Sequence, residues 1–157
     1  MLKQHQPALV NCVGQASGRS ALTLERIAIN IQDARIADNT GAQPVDVPAI
    51  PGGPAAYFST LPIKAMMRAL TDAGLTAEVS QTAGTFVCNH VFYSLMHMLE
   101  KPQGRRKTIG GFIHVPDLPN QGTPNMPLQD MVCGLRTAVA SALSTQEDIL
   151  LGAGTLA

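Results

Sequence analysis

Cys88 is the side chain in this sequence whose setting most favours nucleophilic chemistry. It follows Ser80-Gln81-Thr82-Ala83-Gly84-Thr85-Phe86-Val87 and precedes Asn89. Upstream, Ala77-Glu78-Val79 reads as the tail of a short strand; downstream, Val91, Leu95, Met98 and Leu99 recur at helical spacing. The thiol therefore falls where strand gives way to helix, beside unpaired N–H groups and the positive end of a helix dipole, both of which favour a thiolate. The same residues also fit an inert cysteine buried in a turn. A thiolate that cleaves amides needs an imidazole to hold and return the proton and a third group to orient the ring. His114, at the carboxyl end of an apolar run, meets the second need, and several carboxylates are available for the third. His90 is a rival base, although a residue two positions along a helix does not face its neighbour. His97, deeper in the helix, and His5, near the terminus, read as structural or solvent-exposed.

The elements that must position these groups follow from pattern and punctuation. Pro7 to Val13 reads as a buried strand leading into a glycine-containing loop, Gly14 to Ser20. That loop lacks G-x-G-x-x-G and any following G-K-[ST], so a nucleotide site there is a weak alternative. Leu22 to Ile31 alternates as a strand interrupted by Glu25 and Arg26, which on pattern alone read as a solvated charged pair. Asp33 to Pro54, with prolines at 44, 48 and 51, is a long surface loop. Pro62 opens a helix with an apolar stripe at Ile63, Met66, Met67 and Leu70, and Gly74 closes it. A strand over Ala77 to Thr82, a basic turn over Lys101 to Lys107 and a strand over Thr108 to Val115 come next. The last helix carries Leu128, Met131, Val132, Leu135, Val139 and Leu143 along one stripe. Cys12 and Cys133 read as small core hydrophobes. Alternating strands and helices predict an α/β fold, a three-layer sandwich with a largely parallel sheet and sites at strand carboxyl ends.

Eleven basic residues balance eleven acidic ones among 157 residues, which gives no electrostatic case for nucleic acid or an acidic membrane surface. Three separated cysteines without a Cys-x-x-Cys pair match neither a zinc site nor a disulfide framework, and suit a reducing cytoplasm. The apolar stretch near the start, Ala8 to Val13, is too short for a signal sequence or a span.

The segments also resemble a known family. Gly14-Gln15-Ala16, Gly18-Arg19 and Leu22-Thr23-Leu24-Glu25-Arg26-Ile27-Ala28-Ile29-Asn30 resemble the glutamate signature of the pyroglutamyl peptidase I (pyrrolidone-carboxylate peptidase) family, and Ser80 to Asn89 resembles its cysteine signature. Asp33-Ala34-Arg35-Ile36, Gly53 to Pro62 and Phe112-Ile113-His114-Val115-Pro116 match further segments, in order along nearly the whole chain. The resemblance implies a phosphorylase/hydrolase-like sandwich with a mixed sheet and a cysteine peptidase that removes N-terminal pyroglutamyl residues from peptides. Carried over, Cys88 is the nucleophile, His114 the general base and then acid, and Glu25 the group that orients it. Gln15, Ile36, Phe86 and Val87 match positions lining the pyrrolidone pocket, and Arg35 matches an arginine beside the active site. The family implies no metal or other cofactor, a cytoplasmic enzyme and a homo-oligomer, tetramer or dimer. Ser17, Leu24 and Ala37 depart from the usual residues at their positions. The family's opening strand and phenylalanine- and glycine-rich loop have no counterpart, so residues 1–157 are expected to form one domain, N-terminally truncated relative to the family. The corresponding alternative is a catalytically impaired homologue that keeps the fold or an assembly surface.

Overall fold

The computed structural model describes residues 2–100 and 107–154. Ten elements follow in order: α1 (Leu2–His5), β1 (Leu9–Gln15), β2 (Leu22–Glu25), β3 (Ile27–Ile29), β4 (Ala56–Phe58), α2 (Ile63–Asp72), β5 (Ala77–Ser80), α3 (Cys88–Glu100), β6 (Ile109–Val115) and α4 (Leu128–Ser144). The main sheet has the order β1-β6-β2-β5. β1 runs parallel to β6 and β2 parallel to β5, while β2 and β6 are antiparallel, so the sheet is mixed and mostly parallel as expected. The basic turn read over 101–107 falls, apart from Lys107, outside the described residues.

Alternation of side chains along the strands divides the core in two. Leu22 and Leu24 of β2 and Ile113 of β6 face one side, where they pack with Met66 and Leu70 of α2 and with Met131, Ala138 and Ala142 of α4. Phe112 faces the other side and meets Phe92, Leu95, Met96 and Leu99 of α3. Each leucine or phenylalanine so buried is worth about 1.5–3 kcal/mol relative to exposure. Helices thus cover both faces of the sheet. The dyad Gly110-Gly111 serves both layers: a Cβ on Gly110 would collide with Leu99, and one on Gly111 would lie 2.6 Å from Leu61 Cδ1.

Several expectations need correction. The run from Leu22 to Ile31 is two strands, not one, because the chain breaks at Arg26 and β3 pairs with β4 in a separate antiparallel ribbon. The charged pair is split accordingly: Glu25 is wholly buried, while Arg26 reaches outward to Gln81. The stripe of α3 is rotated from the one read in sequence, since Phe92, Tyr93, Leu95, Met96 and Leu99 are buried whereas Val91 and Met98 are exposed. On α4 the small residues Gly134, Ala138 and Ala142 go inward with Met131, and Leu128, Val132 and Leu143 stay outside. A Cβ on Gly134 would run into Leu22, so close approach of helix to sheet selects small residues there over large ones. Cys133 is exposed rather than a core residue; Cys12 is half-buried beside the Phe112 cluster. The α2 prediction needs no change: Ile63, Met66 and Leu70 are buried, and Gly74 closes the helix at φ +79°.

Candidate active site

His114 and Glu25 meet by sheet geometry. The antiparallel register sets Thr23 opposite His114, so their side chains share a face, and Glu25 lies two residues further along that face as a diagonal neighbour. His114 Nδ1 lies 2.7 Å from Glu25 Oε1, with both residues buried. A carboxylate can only accept, so Nδ1 carries the hydrogen and Nε2 is left for another partner. Cys88 is the other side chain whose interaction with His114 favours the charged ring.

Cys88 reaches the same face from the first residue of α3. β1 leaves room for it: Gly14 is in register with His114, and a Cβ there would lie 2.9 Å from Cys88 Sγ and 2.9 Å from Phe112 Cζ. The thiol therefore sits over a glycine of β1, beside the imidazole of β6. Because β2 and β5 run against β1 and β6, the constellation lies across the face of the sheet rather than only beyond carboxyl ends. Asn89, the next residue, is buried and anchors α3. Its Oδ1 accepts from the Ile29 N–H at 2.9 Å, and its Nδ2 donates to the carbonyls of Ile29 (2.8 Å) and Ile31 (3.0 Å).

The electrostatics of His114 balance two effects. Burial is the largest single influence and disfavours the imidazolium. Hydrogen bonds to Cys88 and Glu25, together with their negative charges, outweigh it and hold the imidazole above its usual value.

Residues 33, 35–39 and 84–87 form a cleft of about 550 Å³ that ends at Val87, the residue before Cys88, and is lined by Asp33, Arg35, Ile36, Asp38 and Phe86 among others. Two hydrogen bonds, Asp33 N–H to the Thr85 carbonyl (3.2 Å) and Thr85 Oγ1 to the Asp33 carbonyl (2.9 Å), hold these segments together. Ile36 is 74% exposed and Val87 50% exposed, so the cleft offers open apolar surface. Four of the five expected pocket residues thus line one cleft. Gln15 stands apart at the end of β1, where its amide donates to Asp117 Oδ1 and, at 2.9 Å, to Gln121 Oε1. His90 bonds Gln32 (2.6 Å) and His97 bonds Tyr57 (2.9 Å), so both are engaged away from the thiol. In the loop after β1, the guanidinium of Arg19 is turned inward onto Glu25. Gly14, Arg19 and Asn89 belong to the segments that carry the resemblance but, like Asp117, had no role assigned from sequence. The readable signal for Arg19 was a lone cation a few residues before a buried acid. Among the described residues, no group of three His, Cys, Asp or Glu is arranged to hold a metal ion.

A thiol, an imidazole and a carboxylate linked in series on one face of an α/β sheet define a hydrolase of the cysteine type. The model of the pyroglutamyl peptidase family matches residues 1–145. The pyrrolidone-carboxylate peptidase of Cupriavidus taiwanensis is 57% identical over 99% of this chain and 74% of its own length. That of Bacillus thuringiensis is 52% identical over 98% of the chain and 73% of its own. Among solved structures, pyroglutamyl peptidase I from Bacillus amyloliquefaciens superposes with a TM-score of 0.91 at 44% identity, covering 96% of this chain and 73% of that one. Pyrrolidone carboxyl peptidase from Thermococcus litoralis also gives 0.91, at 35% identity, over 96% and 74%. The chain belongs to the pyroglutamyl peptidase family of cysteine-type peptidases.

Proposed function

We propose that residues 1–157 form one catalytic domain in which Cys88, His114 and Glu25 act as the triad that removes N-terminal pyroglutamyl residues from peptides. The observation that carries this reading is the series Cys88, His114, Glu25, closed by the 2.7 Å bond at Nδ1. The Cys88 sulfur attacks the carbonyl carbon of the pyroglutamyl residue. His114 Nε2 holds the thiol proton and gives it to the departing amine, and water then cleaves the thioester with the roles reversed. Glu25 keeps the ring in the required tautomer and stabilises its charged form. Backbone N–H groups of the first turn of α3, without intrahelical partners, receive the oxyanion.

The neutral lactam ring calls for apolar contact with few polar groups, and Ile36, Phe86 and Val87 offer that beside Cys88. Arg35 lies in the same cleft, and on this reading it and Gln15, at the end of β1, supply polar contacts to the substrate. No helix among the described residues is long and apolar enough to cross a membrane. Our reading places the enzyme in the cytoplasm as a homo-oligomer, which would cover apolar side chains left outside on α4.

Turnover of pyroglutamyl and prolyl conjugates of one fluorogenic amine tests the reading. Release from the pyroglutamyl conjugate alone is expected. Equal release from the prolyl conjugate, or none from either, contradicts it.

A further inference from the structure

Arg19 makes three hydrogen bonds inside the site from the loop between β1 and β2. Its Nη1 donates to Glu25 Oε1 at 2.6 Å and to Thr23 Oγ1 at 2.7 Å, and its Nη2 donates to the Thr82 carbonyl at 3.1 Å. Glu25 Oε1 thus receives two donors, Arg19 Nη1 and His114 Nδ1, while Oε2 is buried with no hydrogen-bond partner among the described residues. The two donors reach that one oxygen from different elements, His114 from β6 and Arg19 from the loop before β2, and so hold it from two directions.

Thr82 begins the turn that leads to Cys88: its N–H is held by Ser80 Oγ, and its own Oγ1 accepts from the Gly84 N–H. One guanidinium therefore touches β2 at Thr23, the acid at Glu25 and the approach to the nucleophile at Thr82. The planar fork presents its donors to carboxylate, hydroxyl and carbonyl in one fixed geometry, whereas an ammonium is a compact point of charge on a flexible stem. Arg19 keeps a quarter of its side chain exposed and stands behind Glu25, one residue removed from His114.

We propose that Arg19 is a positioning residue of this enzyme: its guanidinium fixes the Glu25 carboxylate under His114 and ties it to the loop that delivers Cys88. The inference rests on the triad reading of Cys88, His114 and Glu25. Because Arg19 acts through Glu25, its removal changes the reaction and not substrate binding.

The test is a double-mutant cycle on turnover of a pyroglutamyl reporter amide, using the full chain, Arg19→Ala, Glu25→Gln and the double variant. Arg19→Ala is expected to lower kcat about ten- to a hundredfold with KM within about twofold. In the Glu25→Gln background the same change should cost less than about threefold, because the acceptor through which it acts is already altered. Added guanidinium should restore part of kcat to Arg19→Ala and none to Glu25→Gln. Arg19→Lys, which keeps the charge over the buried acid and covers a failure of Arg19→Ala to fold, should fall between the two with KM unchanged. Parental kcat in Arg19→Ala or Arg19→Lys, or equal losses in both backgrounds, overturns the proposal while an impaired Glu25→Gln leaves the triad standing. A Glu25→Gln variant at the parental rate removes the triad reading and this proposal with it.

Discussion

At the scale of single residues, the site depends on His114 being held between a thiol and a carboxylate. Burial works against its charge, and Cys88 and Glu25 more than compensate. Replacing Glu25 by Gln removes the negative charge and leaves only a neutral acceptor for Nδ1–H, so the His114 pKa should drop. The acid limb that His114 sets in the profile of kcat/KM should move to lower pH. The rate should fall about tenfold or more, yet by less than in Cys88→Ala, because orientation is lost but the nucleophile stays. An unchanged profile would contradict the account. Gly14→Ala tests the fit of the thiol: a methyl 2.9 Å from both Cys88 Sγ and Phe112 should displace the sulfur, lowering kcat and costing about 1–3 kcal/mol in denaturant unfolding. Cys88 and His114 were legible from their places at element boundaries. Glu25 was legible only through the resemblance, since beside Arg26 in a short run its pattern is that of a solvated ion pair, and only the end of β2 at Glu25 turns the two in opposite directions. Arg19 was hidden for the complementary reason, as its partner lies across a loop and a strand.

At the scale of elements, the first turn of α3 is fixed to β3 by the buried amide of Asn89. Asn89→Ala takes the partner from the Ile29 N–H and the Ile31 carbonyl, while the Ile29 carbonyl keeps the Ile31 N–H, and should destabilise the fold by about 1–3 kcal/mol in urea titration. Loss of activity should exceed the loss of folded protein, because the same turn carries Cys88. A change below about 0.5 kcal/mol would show that β3 does not anchor α3. The existence and order of β1, α2, β5, α3, β6 and α4 were readable from hydrophobic period and from Pro62 and Gly74. The inward faces of α3 and α4 were not. Periodicity locates apolar residues, but the distance between helix and sheet decides their size: Gly134 lies where Leu22 leaves no room, so large neighbours such as Val132 and Leu143 face out. The β3–β4 ribbon was missed because three-residue strands carry too little pattern.

At the scale of the whole molecule, the raised His114 pKa links stability to pH. A group whose folded value exceeds its unfolded one contributes stability that is complete below the unfolded imidazole value of about 6.5 and is lost as pH rises through the folded value. The unfolding midpoint of the parent should therefore decline over that window relative to Glu25→Gln, as followed by thermal denaturation at a series of pH values; parallel curves would contradict the link. The sandwich brings together three residues separated by dozens of positions, and sequence could expect their meeting only through resemblance, because the pairing of Thr23 with His114 is a property of the folded sheet. The central claim is that the sulfur of Cys88 is the nucleophile toward pyroglutamyl substrates. Intact-mass and peptide analysis after treatment with a pyroglutamyl chloromethyl ketone tests it most directly. The account predicts one adduct per chain, on Cys88, formed in step with loss of turnover and absent from Cys88→Ala. Labelling of Cys12 or Cys133 instead, or turnover persisting in Cys88→Ala, would contradict it.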